Sequence, residues 1–214
     1  VVERDGSDGP VFALRGERVQ VGRTQGDVRF PHDPFVSPVH ATLARVPTGG
    51  WTVTDVGSRN GIYLRIARSE PVYPGDMFLV GHQLLRLENA PRAEGEAPDA
   101  HGTAPFGTPA DPAWGRVSRH VRGVGAADVY HLRSSEVVFG RESGDVLFPH
   151  DGFLSRQHAR LRLELRGGAM AVFLEDLGSA NGTFLRVRGQ AHLGAGDVMR
   201  IGDQVLALRV DGAP

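Results

Sequence analysis

The chain has 214 residues, 40% of them hydrophobic, and a formal net charge of −1. That length holds one large domain or two small ones with packed cores. The even charge balance argues against a nucleic-acid partner, though not against a local cationic pocket. Cysteine is absent, which excludes disulfides and cysteine-based zinc sites within this stretch.

Apolar runs are short, such as residues 77–80, so neither a transmembrane helix nor a signal segment is predicted, and a cytoplasmic location is expected. The chain opens Val1-Val2 without a methionine and reads as a fragment, so targeting or membrane segments could lie outside it. Every basic residue is arginine. With abundant Gly, Ala and Pro, this composition points to a GC-rich bacterial genome.

Short strand-like segments run along the chain: residues 12–14, 19–21, 40–46 and 51–56, then 128–132, 136–139, 158–165 and 171–177. Residues 159–165 alternate apolar and charged, as a half-buried strand does. Turn residues recur between the segments, and no amphipathic helix is evident.

An internal repeat organises these elements. Gly22-Arg23, Phe30-Pro31-His32-Asp33, Ser37 and His40 return as Gly140-Arg141, Phe148-Pro149-His150-Asp151, Ser155 and His158. Asp55-Val56-Gly57-Ser58-Arg59-Asn60-Gly61 returns as Asp176-Leu177-Gly178-Ser179-Ala180-Asn181-Gly182, followed by Gly196-Asp197 and Gly202 for Gly75-Asp76 and Gly81. The extra residues of the second copy fall near a Gly167-Gly168 turn. The predicted architecture is all-β, two sandwich domains at 1–89 and 114–211 joined by a flexible Pro/Gly/Ala-rich linker at 90–113.

Each copy places three polar features between strands: Gly-Arg, Ser-x-x-His and Asn-Gly. Loops at one end of a sandwich converge although they are far apart in sequence. An arginine, a hydroxyl and an amide meeting there suit a phosphate, which offers acceptor oxygens and about −1.5 to −2 charge at neutral pH.

The ordered set, found twice, resembles the signature of the forkhead-associated (FHA) family. The resemblance covers both copies and implies eleven-stranded β-sandwiches whose apical loops bind phosphothreonine peptides. Carried over by motif, Arg23 and Ser37 in the first copy, and Arg141 and Ser155 in the second, contact phosphate. Asn60 and Asn181 hold the peptide backbone. Arg156, and Arg59 beside Asn60, add charge. His40 and His158 brace the loops, with Gly22, Gly61, Gly140 and Gly182 supporting the site. The copies depart from the family pattern: Pro38 stands where Arg156 does, without an N–H or a polar side chain. Arg59 and Ala180 stand where threonine is usual. The first domain is therefore expected to be weaker or altered. Phe35 and Phe153, two before the motif serines, either select an apolar side chain three residues after phosphothreonine or point into the core.

The implied function is an adaptor that recruits phosphorylated partner proteins, with Ser/Thr kinases and phosphatases governing assembly. The alternative is a phospho-independent scaffold that uses the folds structurally. Thr103 and Thr108 raise a third possibility, a phosphorylated linker docking on its own domain. No cofactor or metal is called for. His32-Asp33 and His150-Asp151 supply too few ligands for a closed metal site. Ser155, His158 and Asp176 lack the sequence context of a hydrolase triad, so no enzyme is expected.

Overall fold

A computed structural model describes residues 1–2, 9–90, 97–107 and 112–209. No helix occurs among them. The strands are β1 (Arg18–Gly22), β2 (Val28–Arg29), β3 (Ala41–Arg45), β4 (Trp51–Asp55), β5 (Ile62–Arg65), β6 (Glu70–Val72), β7 (Met77–Val80), β8 (Gln83–Asn89) and β9 (Gly115–Val121). They continue as β10 (Gly125–Leu132), β11 (Glu136–Gly140), β12 (Val146–Leu147), β13 (Ala159–Arg166), β14 (Ala169–Asp176), β15 (Thr183–Arg186), β16 (Gln190–Leu193), β17 (Val198–Ile201) and β18 (Gln204–Ala207).

Two compact units form, and neither is continuous in sequence with one repeat. The first combines 1–68 with 182–214; the second is 69–181. The repeats, read as 1–89 and 114–211, have thus exchanged their C-terminal segments. In the first unit β16 of the second repeat pairs antiparallel with β4 of the first, Gln190 opposite Thr54 and Leu193 opposite Trp51. In the second unit β6 of the first repeat pairs with β14 of the second, Val72 opposite Val172. The exchange is possible because both repeats carry the same anchoring residues, so either C-terminal segment fits either frame.

The first unit packs a β16-β4-β3-β1-β2 sheet with the strands β15-β5-β17-β18. Its core draws Val19, Val21, Leu43, Trp51 and Val53 together with Leu193, Met199, Ile201 and Leu206. Residues from both ends of the chain therefore bury one apolar interior, the main stabilising term in folding. In the second unit β12-β11-β13-β14-β6 faces β10-β9-β8-β7. Phe78 on β7 meets Phe139 on β11 edge to face, centroids 5.9 Å apart, a favoured aromatic geometry.

Some local expectations change. Residues 12–14 form no strand; Val2 instead bridges Val205, and Phe12 lies edge-on to Phe30 at 5.7 Å. The alternation of β13 fails at its end, where Leu165 is 79% exposed and Met170 on β14 is 66% exposed. The β13–β14 hairpin runs past its neighbours: β11 reaches Arg162 and β6 covers only residues 172–174. Gly167 and Gly168 close that hairpin at positive φ. The expected linker connects β8 to β9, which pair with each other. Within it Asp99 accepts the N–H groups of His101 and Thr103 at 2.9 Å each, an Asx-type turn. Those two bonds hold the exposed Asp99 carboxyl below its ordinary value. Thr108 lies outside the described residues.

Candidate functional site

In the first unit the three motif loops are tied by hydrogen bonds. The Arg23 N–H donates to the Ser37 carbonyl at 2.8 Å, and Gln25 N–H to Pro38 at 3.0 Å. A side chain at Gly22 would collide with the Pro38 and Gln25 carbonyls, so this position admits only glycine. His40 is fully buried. Its Nδ1 accepts the Ser37 N–H at 3.0 Å. That bond requires an unprotonated Nδ1 and places the proton on Nε2, which donates to the Gly61 carbonyl at 3.0 Å. One imidazole thereby joins the Ser-x-x-His loop to the Asn-Gly loop.

Asp55 holds the third loop, accepting from the N–H groups of Gly57 and Ser58 and from the Ser58 hydroxyl. Ser58 Oγ in turn accepts the Gly61 N–H at 2.9 Å. The Ser37 hydroxyl accepts the Arg59 N–H at 3.1 Å, and Asn60 Nδ2 donates to the Phe35 carbonyl at 2.8 Å. A hydroxyl that accepts from its own scaffold keeps its proton to donate. Arg23 is half-buried, and its Nε is buried without a hydrogen-bond partner.

The second unit repeats the arrangement. The Arg141 N–H donates to the Ser155 carbonyl at 3.0 Å, and His158 Nδ1 accepts the Ser155 N–H at 3.2 Å. Ser155 Oγ accepts the Ala180 N–H at 3.1 Å, and Asn181 Nδ2 donates to the Phe153 carbonyl at 2.8 Å. Gly140 is packed against the Ser143 and Arg156 carbonyls as Gly22 is against its own. Gly182 and Gly61 both sit at positive φ, which a glycine adopts without strain. Here Arg141 does have a partner. Its Nε and Nη2 reach Glu142 Oε1 at 3.2 and 2.9 Å, and Arg156, 77% exposed, lies 3.5 Å from Glu142 Oε2.

Arg23, Ser37 and Asn60 are thus brought together in one unit, and Arg141, Ser155, Arg156 and Asn181 in the other. Arg59 enters its site through its backbone N–H, a contact that Ala180 makes equally well without a side-chain donor. His158 Nδ1 accepts the Ser155 backbone N–H, and Asp176 accepts from the N–H groups of Gly178 and Ser179. Phe35 and Phe153 are half-buried at the loop rim. The Phe153 ring stacks on His82 at 4.0 Å. Beside it a cleft of about 490 Å³ is lined in part by Arg119, Tyr130, Phe148 and His150.

Sequence reasoning missed the role of the two Phe-Pro-His-Asp aspartates. Asp33 and Asp151 are buried and serve as hydrogen-bond anchors. Asp151 Oδ1 accepts the Phe153 N–H at 3.0 Å, while Oδ2 accepts the His82 N–H at 2.9 Å and Gln83 Nε2 at 2.7 Å. Asp33 holds Phe35, Asp203 and Gln204 in the same way. The available signal was a second repeated motif, Gly81-His82-Gln83 and Gly202-Asp203-Gln204. No group of three or more His, Cys, Asp or Glu suited to a metal occurs among the described residues.

The FHA domain family model matches residues 19–81 and 137–202. No curated protein matches the chain in sequence. Among solved structures, the chain is similar to full-length yeast Pml1p, at 23% identity over 42% of this chain and 69% of that one, with a TM-score of 0.29. It is also similar to a chain from a study of phosphothreonine-dependent FHA domain interactions, at 27% identity over 43% and 92% of the two chains, TM-score 0.22. Mycobacterium tuberculosis EmbR in complex with a low-affinity phosphopeptide is 22% identical over 55% of this chain and 27% of its own, TM-score 0.24. At such TM-scores the assignment rests on the two matched regions, which together span more than half of the sequence. The chain belongs to the FHA family and carries two copies of its domain.

Proposed function

We propose that both units bind phosphothreonine-containing segments of partner proteins at these loops, and that the chain is an adaptor rather than an enzyme. One observation carries this reading. In each unit the motif serine accepts a backbone N–H from the Asn-Gly loop, at 3.1 Å, which leaves its hydroxyl proton to donate beside the motif arginine. A tetrahedral dianion with several acceptor oxygens is the ligand that such a set of donors complements. Arg23 Nε is a buried donor that no group of the described residues uses. Membership of the FHA family supports the same reading. The two FHA copies are taken to act as separate readers within 1–89 and 114–211, although their C-terminal strands are exchanged. Half-buried Phe35 and Phe153 would favour an apolar residue three positions after phosphothreonine. Ser/Thr kinases and phosphatases would then control assembly, in the compartment where the partner resides.

The test is calorimetric titration of a degenerate phosphothreonine peptide pool beside its unphosphorylated twin. Wild type, Arg23→Ala, Arg141→Ala and the double variant are compared. Phospho-dependent binding that survives each single change and vanishes in the double identifies two readers. Equal binding of both pools by a folded wild type overturns the reading and leaves a phospho-independent scaffold.

A further inference from the structure

Among the positions outside the motifs at which the two sites differ, one carries a charge. Glu142 follows Arg141 in the second copy; Thr24 follows Arg23 in the first. The Glu142 carboxylate uses one oxygen for the Nε and Nη2 of Arg141 and turns the other toward Arg156. Nε and Nη2 form the edge of the guanidinium that receives an oxyanion in a two-point contact. In the first unit that edge has no carboxylate on it: Arg23 Nε is buried and without a partner, and Pro38 replaces Arg156.

We propose that Glu142 is an internal competitor for phosphate, which occupies the arginines of the second site until a dianion displaces it. The inference rests on the phosphothreonine reading above. A carboxylate carries one negative charge, whereas a phosphothreonine carries about −1.5 to −2 and offers more acceptor oxygens. An incoming Asp or Glu side chain would trade one carboxylate for another with no gain. Phosphate would gain charge and oxygens. Displacing Glu142 costs any incoming anion the same free energy, so Glu142 lowers the absolute affinity of the second site without altering its intrinsic preference for phosphate. The residue that makes the first site look poorer, Pro38, comes without such a competitor. The Glu142–arginine contacts are largely exposed, so their effect on affinity is modest, about two- to fivefold.

The experiment uses the full chain with Arg23→Ala, so that the second site is read alone. The probes are the phosphothreonine peptide pool and the same pool with Glu in place of phosphothreonine. Glu142→Gln keeps the size and an acceptor oxygen but removes the charge. The expected result is about two- to fivefold tighter binding of the phosphorylated pool and a gain by the same factor for the Glu pool. The reciprocal variant, Thr24→Glu on an Arg141→Ala background, should weaken the first site by a similar factor. Unchanged or weaker binding in Glu142→Gln, while the parent still prefers phosphate, overturns the inference alone. That result would make Glu142 an orienting partner of Arg141. Failure of both the parent and Glu142→Gln to prefer phosphate overturns the phosphothreonine reading of this site, and the inference with it.

Discussion

Asp33 accepts a hydrogen bond from the side-chain amide of Gln204 at 2.8 Å across 171 positions of sequence. The same oxygen takes the Asp203 N–H, and the other takes the Phe35 N–H. One buried carboxylate thus fixes both the loop that precedes the site serine and a hairpin supplied by the other repeat.

Replacing that carboxylate should therefore cost stability. In Asp33→Ala three N–H donors lose their acceptor, and leaving buried polar groups unmatched costs about 1–3 kcal/mol, more for charged groups. The expected loss is about 2–4 kcal/mol, read from urea unfolding. Asp33→Asn should recover part of it, because one carbonyl oxygen still accepts. Asp151→Ala should behave alike, since His82, Gln83 and Phe153 depend on it. A change below about 0.5 kcal/mol, the range of ordinary surface substitutions, would show that these bonds do not hold the hairpins.

The exchanged segments make a prediction about the linker. Cutting the chain after Ala104 separates 1–104 from 105–214. The first unit needs 1–68 and 182–214, and β6 and β8 pair with strands of the second repeat. The two fragments should stay together on size-exclusion chromatography after cleavage. Fragments that elute singly and remain folded would mean that each repeat closes on its own C-terminal strands.

How much of this was legible in the sequence follows from the range over which each signal acts. The strands around Val19, Leu43 and Val53 were readable locally as short apolar segments bounded by turn residues, as were the motif loops, whose Gly, Ser and Asn residues have local conformational reasons. The convergence of Ser37 with Arg59 was readable only through the repeat and the family resemblance. The exchange was not readable at all. β16 and β6 derive from equivalent segments of two similar repeats, so nothing in either segment says which β4-like strand it joins. The anchoring aspartates were hidden for a related reason: their partners in the exchanged hairpins lie 68 to 171 positions away.

The buried histidines should act on binding through the loops. His40→Ala removes the acceptor for the Ser37 N–H and the donor to the Gly61 carbonyl, and it empties a fully buried site. Stability should fall by about 2–4 kcal/mol. Phosphopeptide affinity at the first site should fall with it, although His40 itself is buried beneath the loops. His158→Ala should do the same in the second unit, where the Ser155 N–H loses its acceptor. A His40→Ala protein that keeps wild-type stability while losing binding would place the imidazole in contact with ligand instead.

Glu175 links charge to the stability of the second unit. Burial alone would push its carboxyl up, but hydrogen bonds from Arg162, Arg160 and Ser69 outweigh it, and the group titrates below the ordinary glutamate value. Arg160 Nε reaches Glu175 Oε2 at 2.6 Å, and Arg162 reaches Oε1 at 3.0 and 2.6 Å through Nε and Nη2. Arg162 also lies over the Phe173 ring. A carboxylate with a depressed folded pKa contributes stability that is full above its unfolded value and is lost as pH falls through the folded one. Wild type should therefore lose stability on acidification below the ordinary glutamate range by more than Glu175→Gln does. Above that range the variant should be less stable by about 1–3 kcal/mol, since bonds to a charged acceptor are replaced by weaker ones to a neutral amide. Urea midpoints across an acid-to-neutral pH series check both parts. Parallel pH profiles for the two proteins would show that Glu175 carries no pH-linked stability.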